Sequence, residues 1–285
     1  MIACGPPPVP AIHIMAEAPA APAAGRILTI RIPAPSLHLP QRDLIVYLPP
    51  SYATDTAHRY PVLLLLHGEP GSNRDWPRRA EIGALLDRLI ARHRIPELIA
   101  LMPDADGPGP GGRSLYLNAW DGGLRMEDFI VGDLLEWADR TLRTRPQASQ
   151  RALAGVSDGA NAALNLAFKH PDLFGACAGL SGEYQWKNKP PVPQMLGPEP
   201  GASRLLAENS PVRYVDRVAP RIRGLTIYFD AGLLDFGFLD DRALDQSLKR
   251  LGVPHTYLEY WGWHDWMYWR KRLAISLPIV TRGMW

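Results

Sequence analysis

Apolar residues along this chain follow two rhythms, and the change between them organises everything after it. Arg26-Ile-Leu-Thr-Ile-Arg-Ile32 alternates polar with apolar, and Asp43-Leu-Ile-Val-Tyr-Leu48 is a β-rich run closed by Pro49-Pro50. Both predict antiparallel edge strands with one wetted face. From residue 61 the apolar runs become continuous. Pro61–Leu66, Leu98–Met102, Ala152–Val156, Phe174–Leu180, Leu225–Phe229 and His255–Tyr260 read as strands, most of them buried on both faces. Between them lie stretches with helical spacing: Asp75 to about His93, Glu127–Arg143, the run from Asp158 to Lys169, Ser203–Glu208, Phe238–Leu251 and Trp266 to about Leu277. This alternation predicts a mostly parallel central sheet with helices on both faces, preceded by antiparallel N-terminal strands. Two stretches, Asp104 to about Leu124 and Ser181 to about Gly201, show no period and are expected to be long loops.

Residues 1–24 have neither rhythm. They are Pro/Ala-rich and are expected to be disordered or extended, leaving 25–285 as a single α/β domain. Within them Ile2-Ala3-Cys4-Gly5 resembles the end of a bacterial lipoprotein signal, without the charged and apolar regions that precede such a cysteine. A cytoplasmic location is the default expectation, with that match as a hint of an extracytoplasmic one.

Composition narrows the function. The 285 residues are 46% hydrophobic with net charge +2 and no basic block, so neither nucleic acid nor an anionic membrane is implied as a partner. No apolar run approaches the roughly 20 residues of a membrane span. Two cysteines, Cys4 and Cys177, leave no basis for a disulfide framework or a Cys-rich metal site, and no metal or cofactor is expected.

Chemistry is expected at the carboxyl ends of the strands. Four segments qualify: His67-Gly68-Glu69, Ser157, Asp230 through Asp235, and Gly262-Trp-His264-Asp265. Gly155-Val-Ser157-Asp158-Gly159 joins a strand to a helix and has the form of a nucleophile elbow. A serine hydroxyl needs a base, and the base an orienting acid. His264 is the best-placed base. The acid belongs in the preceding strand-end loop, where Asp235 is favoured over Asp230. His67 precedes a glycine and is expected to brace its loop. The backbone N–H groups of Glu69 and Asp158 are the candidate oxyanion donors, which requires both carboxylates to face away.

Several segments together resemble the esterase D-like group of α/β-hydrolases, which includes feruloyl esterases, S-formylglutathione hydrolases, enterochelin esterases and mycolyltransferases. They are Val62–Gly68 followed by Asn73-Arg-Asp-Trp76, Glu127-Asp-Phe129, Gly155–Gly159, Phe168–Phe174, Glu208-Asn-Ser-Pro211 and, most specifically, Gly262-Trp-His264-Asp265-Trp266-Met-Tyr-Trp269. The similarity runs from about residue 27 to the C-terminus. It implies an α/β-hydrolase fold, Ser157, Asp235 and His264 as the triad, and the Glu69 and Asp158 backbones as the oxyanion hole. Asp158, Ala160 and Trp263 depart from the usual pattern, which bears on substrate choice. The expected activity is a serine carboxylic-ester hydrolase acting through an acyl-enzyme on a small or carbohydrate-linked ester. Acyl transfer to an alcohol, or a binding protein that kept the fold without the activity, are the alternatives. Trp120, Trp186, Trp261 and Trp263, with Tyr184, are candidates for an aromatic mouth, whereas Trp266 and Trp269 share one helix face and are expected in the core.

Overall fold

The computed structural model describes residues 24–107, 112–186 and 192–285. The Pro/Ala-rich segment and Cys4 lie outside the described residues, apart from Ala24. Eight strands form one sheet in the order β1-β2-β4-β3-β5-β6-β7-β8. β1 (Arg26–Ala34) pairs antiparallel with β2 (Leu39–Leu48), and β2 pairs antiparallel with β4 (Ile99–Pro103). All other pairings are parallel, through β3 (Val62–Leu66), β5 (Arg151–Val156), β6 (Ala176–Leu180), β7 (Thr226–Gly232) and β8 (Thr256–Tyr260). This is the mostly parallel sheet that the alternating pattern predicts, in the α/β-hydrolase architecture that the resemblance implies.

Side chains alternate between two cores, one on each face of the sheet. Leu64, Leu66 and Leu153 enter the core covered by α5 (Asp158–Lys169), α8 (Pro211–Ile222) and α9 (Phe238–Arg250). Leu63, Leu65, Ala152 and Ala154 enter the other, against α1 (Asp75–Arg78), α2 (Ile82–Ala91) and α10 (Trp266–Val280). Both cores being apolar, the strands read as unbroken hydrophobic runs.

The helix expected from Asp75 to His93 is two helices, α1 and α2. Glu81 sits between them at φ 50°, in left-handed backbone that an α-helix does not accommodate. The helix expected over 127–143 comprises α3 (Met126–Asp128), a π-helical segment (Phe129–Leu134) and α4 (Leu135–Thr141). The irregular 181–201 stretch contains α6 (Pro193–Leu196), and α7 (Gly201–Glu208) follows it. The 12 residues of α8 were not anticipated. Pro211 starts this helix, where a missing N–H costs nothing, and Pro220 lies inside it. Tyr214, Val215, Ala219 and Ile222 nevertheless form the buried stripe of a surface helix.

The two long loops are not loose. Leu115, Leu117 and Ala119 of the first share a satellite core with Trp186, Val192, Met195 and Leu196 of the second. Three of the segments on which the family resemblance rests also meet. Glu127 accepts from Lys169 Nζ at 2.7 Å and faces His170 Nε2 at 2.9 Å, and Lys169 also reaches Asn209 at 2.5 Å. Burial opposes the charge on Glu127, but His170 and Lys169 hold its carboxyl below the usual glutamate value. Their role is to tie α3, α5 and α7 together.

Candidate active site

The sheet order changes direction around β3, which has β4 on one side and β5 on the other. Such a switch point opens a crevice beyond the carboxyl ends of the strands. Leu66 pairs with Gly155, so the segment after β3 and the elbow after β5 emerge abreast. They touch: a Cβ on Gly68 would lie 2.8 Å from the Ser157 Cβ. Ser157 stands at the apex with φ 55° and ψ −124°. A side chain on Gly155 would overlap the carbonyl of Gly159, and one on Gly159 would overlap the carbonyl of Leu66. Both positions therefore require glycine for close approach of helix to strand. α5 is buried on every side. Its polar Asn161 and Asn165 are satisfied by the Glu183 carbonyl (2.6 Å), by Asn209 (3.0 Å) and by the Tyr214 hydroxyl (2.7 Å).

Three residues far apart in sequence meet beyond these strand ends. His264 Nε2 lies 2.9 Å from Ser157 Oγ, and its Nδ1 lies 2.9 Å and 3.0 Å from the two carboxylate oxygens of Asp235. A carboxylate accepts, so Nδ1 carries the proton and Nε2 is free to accept from the serine. Burial opposes the charge on Asp235, but the His264 imidazole, the Ser181 hydroxyl and the Gly237 N–H hold its carboxyl below the ordinary aspartate value. The Gly237 N–H donates at 2.8 Å.

Asp230, the other candidate acid, is committed elsewhere. It is fully buried beneath the rim, where it accepts from the Tyr228 hydroxyl, from the Tyr268 hydroxyl at 2.9 Å and from Arg272 Nε at 3.2 Å. Arg272 lies 3.2 Å over the Tyr260 ring. Burial raises the proton affinity of Asp230, and the Tyr228, Tyr268 and Arg272 donors oppose the rise. Asp230 thus braces the turn that carries His264. Tyr268 packs against Gly262, and its N–H is capped by the Asp265 carboxylate at 2.8 Å.

Sequence reasoning missed Ser181 and the part played by Trp269. Trp269 Nε1 donates to Ser181 Oγ at 3.0 Å, Ser181 faces Asp235, and the Trp269 ring stands edge-on to His264 at 5.1 Å. Ser181 follows β6 at φ 61°. A polar residue just past a strand was the available signal. Phe236 was missed as well. It is 70% exposed, and its ring lies 4.2 Å from that of His264.

Asp158 opens α5, so its N–H is one of the first-turn donors without an intrahelical acceptor. Its carboxylate points away from the serine to Arg113, at 3.0 Å from Nε and 2.5 Å from Nη2. Burial pushes this carboxyl up and Arg113 pulls it back. Glu69 differs from expectation. Glu69 is one of the residues lining the pocket, and its carboxyl does not turn fully out to solvent: Oε1 is buried and without a hydrogen-bond partner among the described residues.

The pocket has a volume of about 520 Å³, within the range of small-molecule sites. It is lined by Gly68, Glu69 and Pro70 after β3, by Asp75 and Arg79, by Ser157, and by His264, Asp265, Trp266, Met267 and Trp269 after β8. Trp266 and Trp269 pack in the core as expected, but the division of the tryptophans differs in where the cavity is lined. Trp266 and Trp269 line the cavity, because the start of α10 faces both the core and the crevice. Trp261 and Trp263, at 77% and 59% exposure, stand on the outer rim, and Trp120 is exposed beside Gly197. Trp186 is buried in the satellite core and Tyr184 beneath it against Phe229, so neither reaches a mouth.

His67 is buried and braces its loop. Its Nε2 accepts from Ala105 N–H at 3.1 Å, so its Nδ1 carries the proton and donates to the Gly68 carbonyl at 3.1 Å. Burial lowers its proton affinity. Its ring atoms lie within 4.8 Å of carboxylate oxygens of Asp104 and Asp106, a grouping that could hold a metal ion. Here the imidazole nitrogens are taken by these backbone bonds, and Arg42 pairs with Asp104 at 3.4 Å.

Comparison with known proteins identifies the family and the fold. The family model described as "Putative esterase" matches residues 40–279. A solved structure described as a ferulic acid esterase superimposes with a TM-score of 0.82 at 28% identity, covering 91% of this chain and 99% of that one. An uncharacterized protein of Corynebacterium glutamicum is 23% identical over 85% of this chain and 57% of its own length. An endo-1,4-beta-xylanase/feruloyl esterase of Xylanibacter ruminicola is 29% identical over 48% of this chain and 19% of its own. The chain thus spans about half or less of these two curated relatives.

Proposed function

The chain belongs to this esterase family, and from that premise we propose that it is a serine carboxylic-ester hydrolase working through Ser157, His264 and Asp235. The observation that carries the reading is the 2.9 Å approach of His264 Nε2 to Ser157 Oγ, with Asp235 on the other ring nitrogen. His264 takes the hydroxyl proton as Oγ attacks the ester carbonyl. Asp235 stabilises the imidazolium. The carbonyl oxygen, now an anion, is received by the N–H groups of Glu69 and Asp158, each such donor contributing a factor of about 10²–10³. Collapse expels the alcohol, which takes the proton from His264. Water then attacks the acyl-serine carbonyl and gives its proton to His264, which passes it to Ser157 Oγ as the bond to the acyl group breaks and the acid is released.

The substrate proposed is a small ester with an apolar or aromatic acid part, of the feruloyl kind. Trp266 and Met267 supply apolar wall inside the cavity. Outside it, Leu233, Phe236, Leu239, Trp261 and Trp263 are exposed. The loops bearing them are bonded together, Leu233 N–H to the Tyr260 carbonyl at 2.8 Å and Leu234 N–H to that of Gly262 at 3.0 Å. An aryl group leaving the cavity would meet this rim.

A fluorophosphonate probe tests the mechanism directly. Wild-type protein is expected to be labelled and Ser157→Ala not, with kcat in the variant lower by on the order of 10⁶. An unlabelled wild type would leave only a binding protein on this fold.

A further inference from the structure

Resting on that reading, we propose that the enzyme takes anionic esters: a basic groove that shares a wall with the active-site cavity receives a carboxylate, sulfate or phosphate group carried by the substrate. The groove has a volume of about 650 Å³. Arg79, Trp266 and Met267 line both it and the cavity that holds Ser157 and His264, so the two spaces are neighbours. Arg78 from the end of α1, Arg88 of α2, and Arg270 and Lys271 of α10 complete the groove.

The start of α10 connects the two. Residues four apart stand one above the other on a helix face, so Trp266 leads to Arg270 and Met267 to Lys271. The first pair lines both spaces, and the second pair lines only the groove. A turn of helix rises about 5.4 Å, so the basic pair lies roughly that far along α10 from the apolar wall of the cavity. An ester of modest length reaches from Ser157 to both.

The charge is concentrated and unanswered. Arg79 pairs with Asp75 at 3.0 Å and Arg270 with Glu81 at 2.7 Å. Arg78, Arg88 and Lys271 are exposed and form no ion pair or side-chain hydrogen bond among the described residues. These three charges alone exceed the net +2 of the whole chain, which is why the overall balance conceals them. Among the described residues no acid lines the groove, whereas Glu69, Asp75 and Asp265 line the catalytic cavity. An anionic substituent is therefore opposed beside the serine and attracted one helical turn away. Guanidinium groups suit it, because their forked donors match the oxygens of carboxylate and phosphate.

The test measures kcat/KM for matched ester pairs, each rate divided by that of hydroxide hydrolysis. Mono-4-nitrophenyl adipate against 4-nitrophenyl hexanoate puts the charge on the acid half. 4-Sulfophenyl acetate against 4-sulfamoylphenyl acetate puts it on the alcohol half. In wild type the charged member of at least one pair is expected to be favoured by about tenfold, as for a few exposed charge contacts acting together. Arg78→Gln/Arg88→Gln/Lys271→Gln should reduce the preference to below about twofold. Raising ionic strength from about 0.01 M to about 1 M should do the same to wild type, because it shortens the screening length from about 30 Å to about 3 Å. Arg140→Gln/Arg223→Gln/Arg250→Gln removes as much charge from α4, α8 and α9, whose apolar residues pack in the opposite core, and should keep the preference. No preference in wild type, one that salt leaves intact, or one reduced equally by both triple variants would overturn the proposal. Sedimentation with phosphatidylglycerol vesicles that is lost in the groove variant, without any ester preference, would assign the groove to a membrane surface and overturn it too. The salt series needs no variant, so it decides the matter even where the groove variant fails to fold. Fluorophosphonate labelling separates the two readings. Unlabelled wild type refutes the esterase and the anionic substrate with it, whereas labelled wild type without a charge preference refutes only the groove.

Discussion

The nucleophile and its base are held by different physics. At the β5–α5 elbow the close approaches at Gly155 and Gly159 are backbone against backbone, and the serine stands at φ 55° at the head of a helix buried all round. At the β7–β8 rim the imidazole is held by side chains: Asp235 on one nitrogen, Trp269 through Ser181 behind that, and Tyr268 anchored on Asp230 below. The first region is locked by sterics and cannot be adjusted by degrees. The second is a set of hydrogen bonds, each removable alone. The rim is also open, with Phe236, Trp261 and Trp263 exposed around it, whereas the elbow is closed. Variation in what the site accepts belongs on the rim, and variation at the elbow is paid in folding.

Three substitutions sharpen this contrast. The largest effect is expected from Asp235→Asn, which keeps the shape but reverses the tautomer of His264. A drop in kcat of about 10⁴, about 5 kcal/mol of transition-state stabilisation, should appear with an unchanged melting temperature. A drop below tenfold would mean that the rim does not depend on this bond. Gly155→Ala, at the other region, should do the opposite and appear first in stability. Its new methyl group would overlap the Gly159 carbonyl, and overpacking of this kind costs about 3 kcal/mol, read as a lowered denaturation midpoint. Normal stability in this variant would break the steric account of the elbow. The smallest effect is expected from Trp269→Phe, which keeps an aromatic ring against His264 but removes the N–H to Ser181. A loss in kcat of about three- to tenfold with KM little changed is expected in steady-state kinetics.

The contrast also explains what could be read from the chain. Ser157 and His264 were legible because both follow apolar runs that must be strands, and strand ends are where such sheets place ligands. The parallel sheet was legible for the same reason. The α8 helix was not, because Pro211 and Pro220 interrupt the text with breakers whose positions in the first turn and last turn the helix tolerates. Ser181 and Trp269 were opaque as a pair because 88 residues separate them, and their meeting depends on β6 lying between β5 and β7. The tryptophans misled because spacing shows which residues share a helix face but not that one face can serve core and cavity together.

The pairing of Leu66 with Gly155 has a consequence for how such an enzyme can change over time. Neighbouring leucines on β3 serve opposite faces, so sliding that strand by one residue would exchange the occupants of both cores. The same alignment sets the distance between the residue-69 amide and the serine. Any lineage that keeps this interior therefore inherits the spacing of its reactive groups without separate selection for it, and is free to rewrite the loops above.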